Sequence, residues 1–221
     1  MITDKQLVRT QAASGLAFGA FLALHLINTA LGAHSAEAYD GAQRALQVFY
    51  QNPLVEITLI GAALVAHVVA AVWLWRRRGG RAGPKPRTWR RRLHRWSGVF
   101  LLIFVGGHFL ATRGTTLFTG VVLGHAGLSF SLDFAPAYFY PYYALLGLSG
   151  LYHGLHGAGQ ALRVFKVKPP SVITTGWGFR TILALGAAGV LLGIAGFGGW
   201  LYPIADPWAS DFAALYQAWF G

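Results

Sequence analysis

Five stretches of roughly 20 residues carry almost no charge, and they constrain this chain more than any other feature. An α-helix rises about 1.5 Å per residue, so roughly 20 apolar residues cross the ~30 Å hydrocarbon layer of a bilayer. The stretches fall at about 12–33, 53–75, 96–113, 138–162 and 179–202. Hydrophobic residues are 55% of the 221 and charged residues 11%, a balance that suits lipid better than water. The sequence therefore predicts an all-α membrane protein, a single domain over 1–221 built as a five-transmembrane-helix bundle. The first stretch begins near the N-terminus and runs on without a small-residue cleavage site, so it reads as a retained helix rather than a signal peptide.

Charge gives the expected orientation. Of the 18 Lys and Arg residues, 16 lie on alternate connections: Lys5 and Arg9, the run from Arg76 to Arg95, and Arg163, Lys166, Lys168 and Arg180. The opposite connections hold Arg44 and Arg113, together with Glu37, Asp40, Asp133, Asp206 and Asp211. Under the positive-inside rule the N-terminus is cytoplasmic and the C-terminus outside. The net charge of +11 thus reflects sidedness, not a nucleic-acid surface. Ten of those positive charges sit between stretches 2 and 3. Topology and anionic membrane lipid account for most of them, and a docking surface for an acidic cytoplasmic partner is the sharper reading.

Histidine supplies the chemistry. His25, His67, His108 and His153 each lie well inside a different apolar stretch. Intramembrane ionisable residues are costly and usually functional. One on each of four consecutive spans needs a common ligand, and haem iron suits two pairs of neutral imidazoles. There is no cysteine, which excludes iron–sulfur clusters, zinc–thiolate sites and covalently attached haem within the chain. Depth along the helices suggests the pairs. His67 lies roughly 12 Å and His153 roughly 15 Å from the cytoplasmic ends of their helices. His25 and His108 lie roughly 20 Å and 18 Å in from the same side. An inner pair, His67 with His153, and an outer pair, His25 with His108, would hold two stacked haems.

Spacing leaves the fourth-helix ligand open. His156 is three residues from His153 on nearly the same face, and reads equally as the axial ligand, a propionate partner or a quinone contact. His34, His94 and His125 read as solvated or interfacial residues in connections. Gly15, Gly19, Gly106, Gly107, Gly147, Gly150, Gly154 and Gly157 border the histidines and allow close backbone approach, to a helix or a macrocycle. SAEAYDGAQRALQVFYQN and DPWASDFAALYQAWFG suit short interfacial helices, with Tyr202, Trp208, Tyr216 and Trp219 as aromatic anchors.

Helix 1 reads SGLAFGAFLALHLIN, with Ser14, Gly15, Phe21, His25 and Asn28; helix 2 has a lone deep His67. Helix 3 reads SGVFLLIFVGGHF, ending at His108, and helix 4 reads YHGLHG, an aromatic-His-x-x-x-Gly pattern over His153 and Gly157. In this ordered set the chain resembles the five-helix, dihaem cytochrome b membrane anchor of succinate:quinone oxidoreductases and quinol:fumarate reductases. The resemblance covers most of the chain and favours His153 over His156 as ligand. It implies two haem b groups, a quinone (most often menaquinone), and electron transport in the respiratory chain and tricarboxylic acid cycle. It also implies a cell inner membrane location and a flavoprotein and an iron–sulfur subunit as cytoplasmic partners, in an assembly open to higher oligomers. Succinate or fumarate would be handled by those partners, this chain having no dicarboxylate activity alone. The chain departs from the pattern at Leu151 and Tyr152, where some relatives carry a proton-transferring glutamate. For the outer carboxylate that takes quinol protons, Glu56 is the first candidate and Asp40 the second.

Other classes fit less well. The cytochrome b subunit of a formate dehydrogenase, hydrogenase or nitrate reductase also uses histidines on bundled helices but usually distributes them differently, often with two on one helix. Membrane desaturases need clustered histidine boxes, and only His153 and His156 lie close in sequence. A retinal protein needs a lysine within a span, and Lys5, Lys85, Lys166 and Lys168 all lie outside.

Overall fold

The computed structural model describes residues 2–79 and 88–220, and among them regular structure is helical with no strand. Residues 80–87, the middle of the basic run, lie outside the described residues. The helices are α1 (Asp4–Leu31), α2 (Ala36–Tyr50), α3 (Ala63–Arg77), α4 (Trp89–Phe109), α5 (Thr115–Thr119), α6 (His125–Phe134), α7 (Pro136–Val164), α8 (Gly176–Phe197) and α9 (Asp211–Phe220). A π-helical segment, Val55–Ala62, leads into α3, and another, Leu110–Gly114, joins α4 to α5.

Among the described residues four helices are long and apolar enough to cross a membrane: Asp4–Leu31, Val55–Arg77, Trp89–Thr119 and Gly176–Phe197. The chain is a multi-pass membrane protein. Ile27, Ile57, Val65, Ile103 and Leu185 are between 61% and 68% exposed on them, which suits a hydrocarbon surround and not water. The remaining long helix, α7, has 29 residues and is about 43 Å long. Its tyrosines, glycines and histidines make it less apolar than the other four. Hydropathy alone therefore counts four spans, where the sequence reading expected five.

The helix ends have local causes. Helix α1 starts eight residues before the expected 12 because Thr3 and Gln6 form a capping box. The Thr3 amide donates to Gln6 Oε1 at 2.8 Å and the Gln6 amide to Thr3 Oγ1 at 3.2 Å. Helix α8 stops at Phe197 rather than near 202. Gly199 takes φ +73°, and the Trp200 amide donates back to the Ala195 carbonyl at 2.9 Å, closing a Schellman turn. The same turn ends α7, but there the left-handed residue is Lys166, φ +62°.

Contacts group the residues into two compact units. The first comprises the described residues of Met1–His25, Gln47–Val99 and Ser149–Leu185. In it Leu7 is buried with Ala70 and Leu74, packing the start of α1 on α3. Arg77 clamps the same corner, donating from Nη1 to the Ile2 carbonyl at 2.7 Å and to Asp4 Oδ1 at 3.0 Å. The second comprises Leu26–Leu46, Phe100–Leu148 and the described residues of Gly186–Gly221. Its core is Tyr39, Leu132, Val190, Ile194 and Phe197. Beside it Phe130, 1% exposed, is enclosed by Phe134, Trp208, Phe212 and Tyr216, so α6 and α9 form one aromatic layer.

Candidate functional site

The first unit gathers four histidine rings. His67 comes from α3, His94 from the first turns of α4, and His153 and His156 from α7. The His67 and His153 ring centres are 6.2 Å apart with planes at 87°. His94 stacks on His153 at 4.2 Å and lies 5.0 Å from His156, whose ring stacks in turn on Tyr152 at 5.8 Å.

Both members of the expected inner pair are oriented by backbone. His67 Nδ1–H donates to the Gln11 carbonyl at 2.9 Å, and His153 Nδ1–H to the His94 carbonyl at 3.2 Å. A carbonyl can only accept, so each ring carries its proton on Nδ1 and its lone pair on Nε2. That is how a protein prepares a metal-binding imidazole. Glycines make the seats. A Cβ on Gly15 would lie 2.9 Å from His67 Nδ1, and one on Gly98 would lie 2.8 Å from His153 Cε1. Each imidazole thus lies against the bare backbone of a facing helix. Gly15 was anticipated from the sequence; Gly98, ten residues before His108, was not.

Among the described residues no three His, Cys, Asp or Glu side chains converge to hold a bare metal ion. An iron held by two imidazoles at about 2.0–2.1 Å from each nitrogen requires ring centres roughly 6 Å apart. The His67–His153 ring-centre separation of 6.2 Å is close to that distance. His94 Nδ1 is buried with no hydrogen-bond partner among the described residues, a cost of about 1–3 kcal/mol.

The other expected site residues lie elsewhere. His25 belongs to the first unit and stacks on Phe21 at 5.8 Å, and Phe21 in turn meets Tyr50 edge-on at 5.3 Å. His108 belongs to the second unit, near the end of α4, where its carbonyl accepts from Thr112 Oγ1 at 2.8 Å. Glu56 is half-buried in the π-helical segment before α3. Asp40 is committed to structure: its Oδ1 accepts the His125 amide at 2.8 Å, capping α6. His156 is 8% exposed and lines a cavity with Arg90, Arg91 and Arg163.

Two histidines correct the sequence reading. His94 is not a loop residue, because α4 begins at Trp89 and carries it among the other rings. His125 is 4% exposed rather than solvated. Tyr202 spends its hydroxyl proton on the Gly32 carbonyl at 2.6 Å, so it accepts from His125 Nε2–H at 3.0 Å. Ser129 Oγ lies 3.2 Å from His125 Nδ1, which satisfies the neutral ring. Burial holds the His125 pKa below its ordinary value, partly opposed by Asp40 and Glu37. His34 is exposed, as the sequence suggested. No family model, no curated protein and no solved structure matches this chain.

Proposed function

We propose that this chain is a dihaem cytochrome b membrane anchor that carries electrons between a quinone and cytoplasmic flavoprotein and iron–sulfur subunits. One observation carries the reading: His67 and His153 stand 6.2 Å apart with both Nδ1 atoms tied to backbone carbonyls. They would hold the iron of an inner haem b. Bound there, haem would supply reversible one-electron transfer at a potential tuned by its axial ligands and their hydrogen bonds. The Gln11 and His94 carbonyls hold the two half-buried rings in one tautomer. His25 and His108 would be the ligands of an outer haem.

On this reading α7 is the fifth span despite its polarity, because a helix lining a cofactor site carries glycine and histidine where a lipid-facing helix carries leucine. The arginine-rich connections are then cytoplasmic, in a cell inner membrane. Quinol oxidation would use Glu56 as proton acceptor. Asp40, which caps α6, is ill suited to that task. Succinate:quinone or quinol:fumarate chemistry would belong to the assembled complex. The pyridine haemochrome spectrum of the purified chain, with the four single alanine variants, tests the ligand set. Loss of one haem from His67→Ala and His153→Ala, and of the other from His25→Ala and His108→Ala, is the expected result. Full haem retention in His153→Ala with loss in His156→Ala would move the α7 ligand to His156.

A further inference from the structure

The cavity beside His156 has properties that ligation of iron does not explain. It is a half-open cavity of about 450 Å³, within the range of a small-molecule site, and three arginines line it: Arg90 and Arg91 from the start of α4 and Arg163 from the end of α7. Gln160, Thr88 and Thr174 add neutral polar groups, and no carboxylate is among the described lining residues. The first unit contains only two acidic residues, Asp4 and Glu56, and Asp4 is paired with Arg77. Three guanidinium groups around one cavity repel one another unless an anion joins them.

Arg90 is held in position before any ligand arrives. Its Nη1 donates to the Thr174 carbonyl at 3.0 Å, and its guanidinium carbon lies 4.2 Å from the centre of the Phe179 ring. The Arg90 carbonyl also accepts from Tyr152 Oη at 3.1 Å. A guanidinium fixed this way loses little further entropy on binding a tetrahedral anion, and arginine is the residue suited to phosphate. The wall behind it closes tightly, since a Cβ on Gly159 would lie 3.2 Å from Thr174 Cγ2.

The surroundings point to lipid. The cavity lies at the basic ends of α4 and α7, just before α8, and two exposed tryptophans flank it in sequence: Trp89, 64% exposed, and Trp177, 82% exposed. Tryptophan at the end of an apolar helix marks the headgroup level, where basic pockets take anionic headgroups. We propose that this cavity holds the phosphate of an anionic phospholipid, with Arg90, Arg91 and Arg163 as its cationic contacts. The inference does not depend on the haem reading.

The test is lipid retention by the purified full chain, measured by native mass spectrometry in mixed phosphatidylglycerol and phosphatidylcholine nanodiscs, with circular dichroism to verify folding. Wild type should retain phosphatidylglycerol selectively. Arg91→Gln with Arg163→Gln should weaken retention about tenfold or more, while Arg76→Gln with Arg78→Gln, equal in charge but not among the lining residues, should change it less than about twofold. Gln160→Glu, which adds a carboxylate without changing size, should weaken it in the same direction if the double variant fails to fold. Equal loss in both double variants would reduce the effect to diffuse surface attraction and overturn the site. Displacement of the lipid by millimolar inorganic phosphate would make this a soluble-phosphate site instead. Loss of lipid on haem loading would assign the arginines to the haem carboxylates, and would also overturn the proposal.

Discussion

His67→Ala and His153→Ala should have the same consequence, because on the proposed reading both residues, whose ring centres lie 6.2 Å apart, hold one haem. Loss of a single haem b signal with the other intact is the expected spectrum for both. His125 predicts a pH effect of a different kind. Burial lowers its pKa in the folded chain, so the unfolded chain binds the proton more readily. Its contribution to stability is then fully present above about pH 6.5 and is lost as pH falls from there through the folded-state pKa. Thermal unfolding of wild type should therefore drop in midpoint between pH 7 and pH 5 more steeply than that of His125→Gln. Parallel slopes would remove His125 from the account. The sequence made His67 and His153 legible because a histidine in an apolar run has few ordinary explanations. His94 was hidden by the five arginines around it, at 87, 90, 91, 92 and 95, which made a helix start look like a loop. His125 was hidden because its partners Tyr202 and Asp40 are 77 and 85 residues away.

Among the elements, the close seats of the imidazoles are the sharpest test of packing. Gly98→Val puts a branched side chain where even a Cβ would lie 2.8 Å from His153. It should cost about 1–3 kcal/mol and, on the proposed reading, release the haem that His153 would hold, read by haem content against melting temperature. Lys166 tests the end of α7. A lysine at φ +62° carries strain that glycine does not, so Lys166→Gly should raise stability by up to about 1 kcal/mol, and Lys166→Ala should not. Phe130→Ala should loosen the α6–α9 layer by about 3–5 kcal/mol, visible as earlier proteolysis of the C-terminal residues. Four apolar helices and the short helices α2 and α9 were readable from hydropathy and turn residues. Helix α6 was not, because its HAGLSFSLDF is short and its partners in α9 are distant in sequence. The two π-helical segments had no sequence signal, since i→i+5 bonding uses the same residues as an α-helix.

For the whole molecule, the absence of cysteine makes sidedness directly measurable. A single Arg78→Cys, on the exposed end of α3, should be inaccessible to an impermeant maleimide in intact cells and reactive in inverted vesicles. Labelling in intact cells would reverse the orientation and exchange the inner and outer sites. Purification through this chain should bring a flavoprotein and an iron–sulfur protein with it. A molybdenum or nickel subunit in their stead would replace the dicarboxylate assignment while leaving the histidine pair in place. The measurement closest to the central claim is haem b per polypeptide by pyridine haemochrome, on the purified chain and on His67→Ala and His153→Ala. The account predicts about two haems per wild-type chain and about one in each variant, with the same spectral component missing. A wild-type chain without haem, or a His67→Ala variant that keeps both, would contradict it.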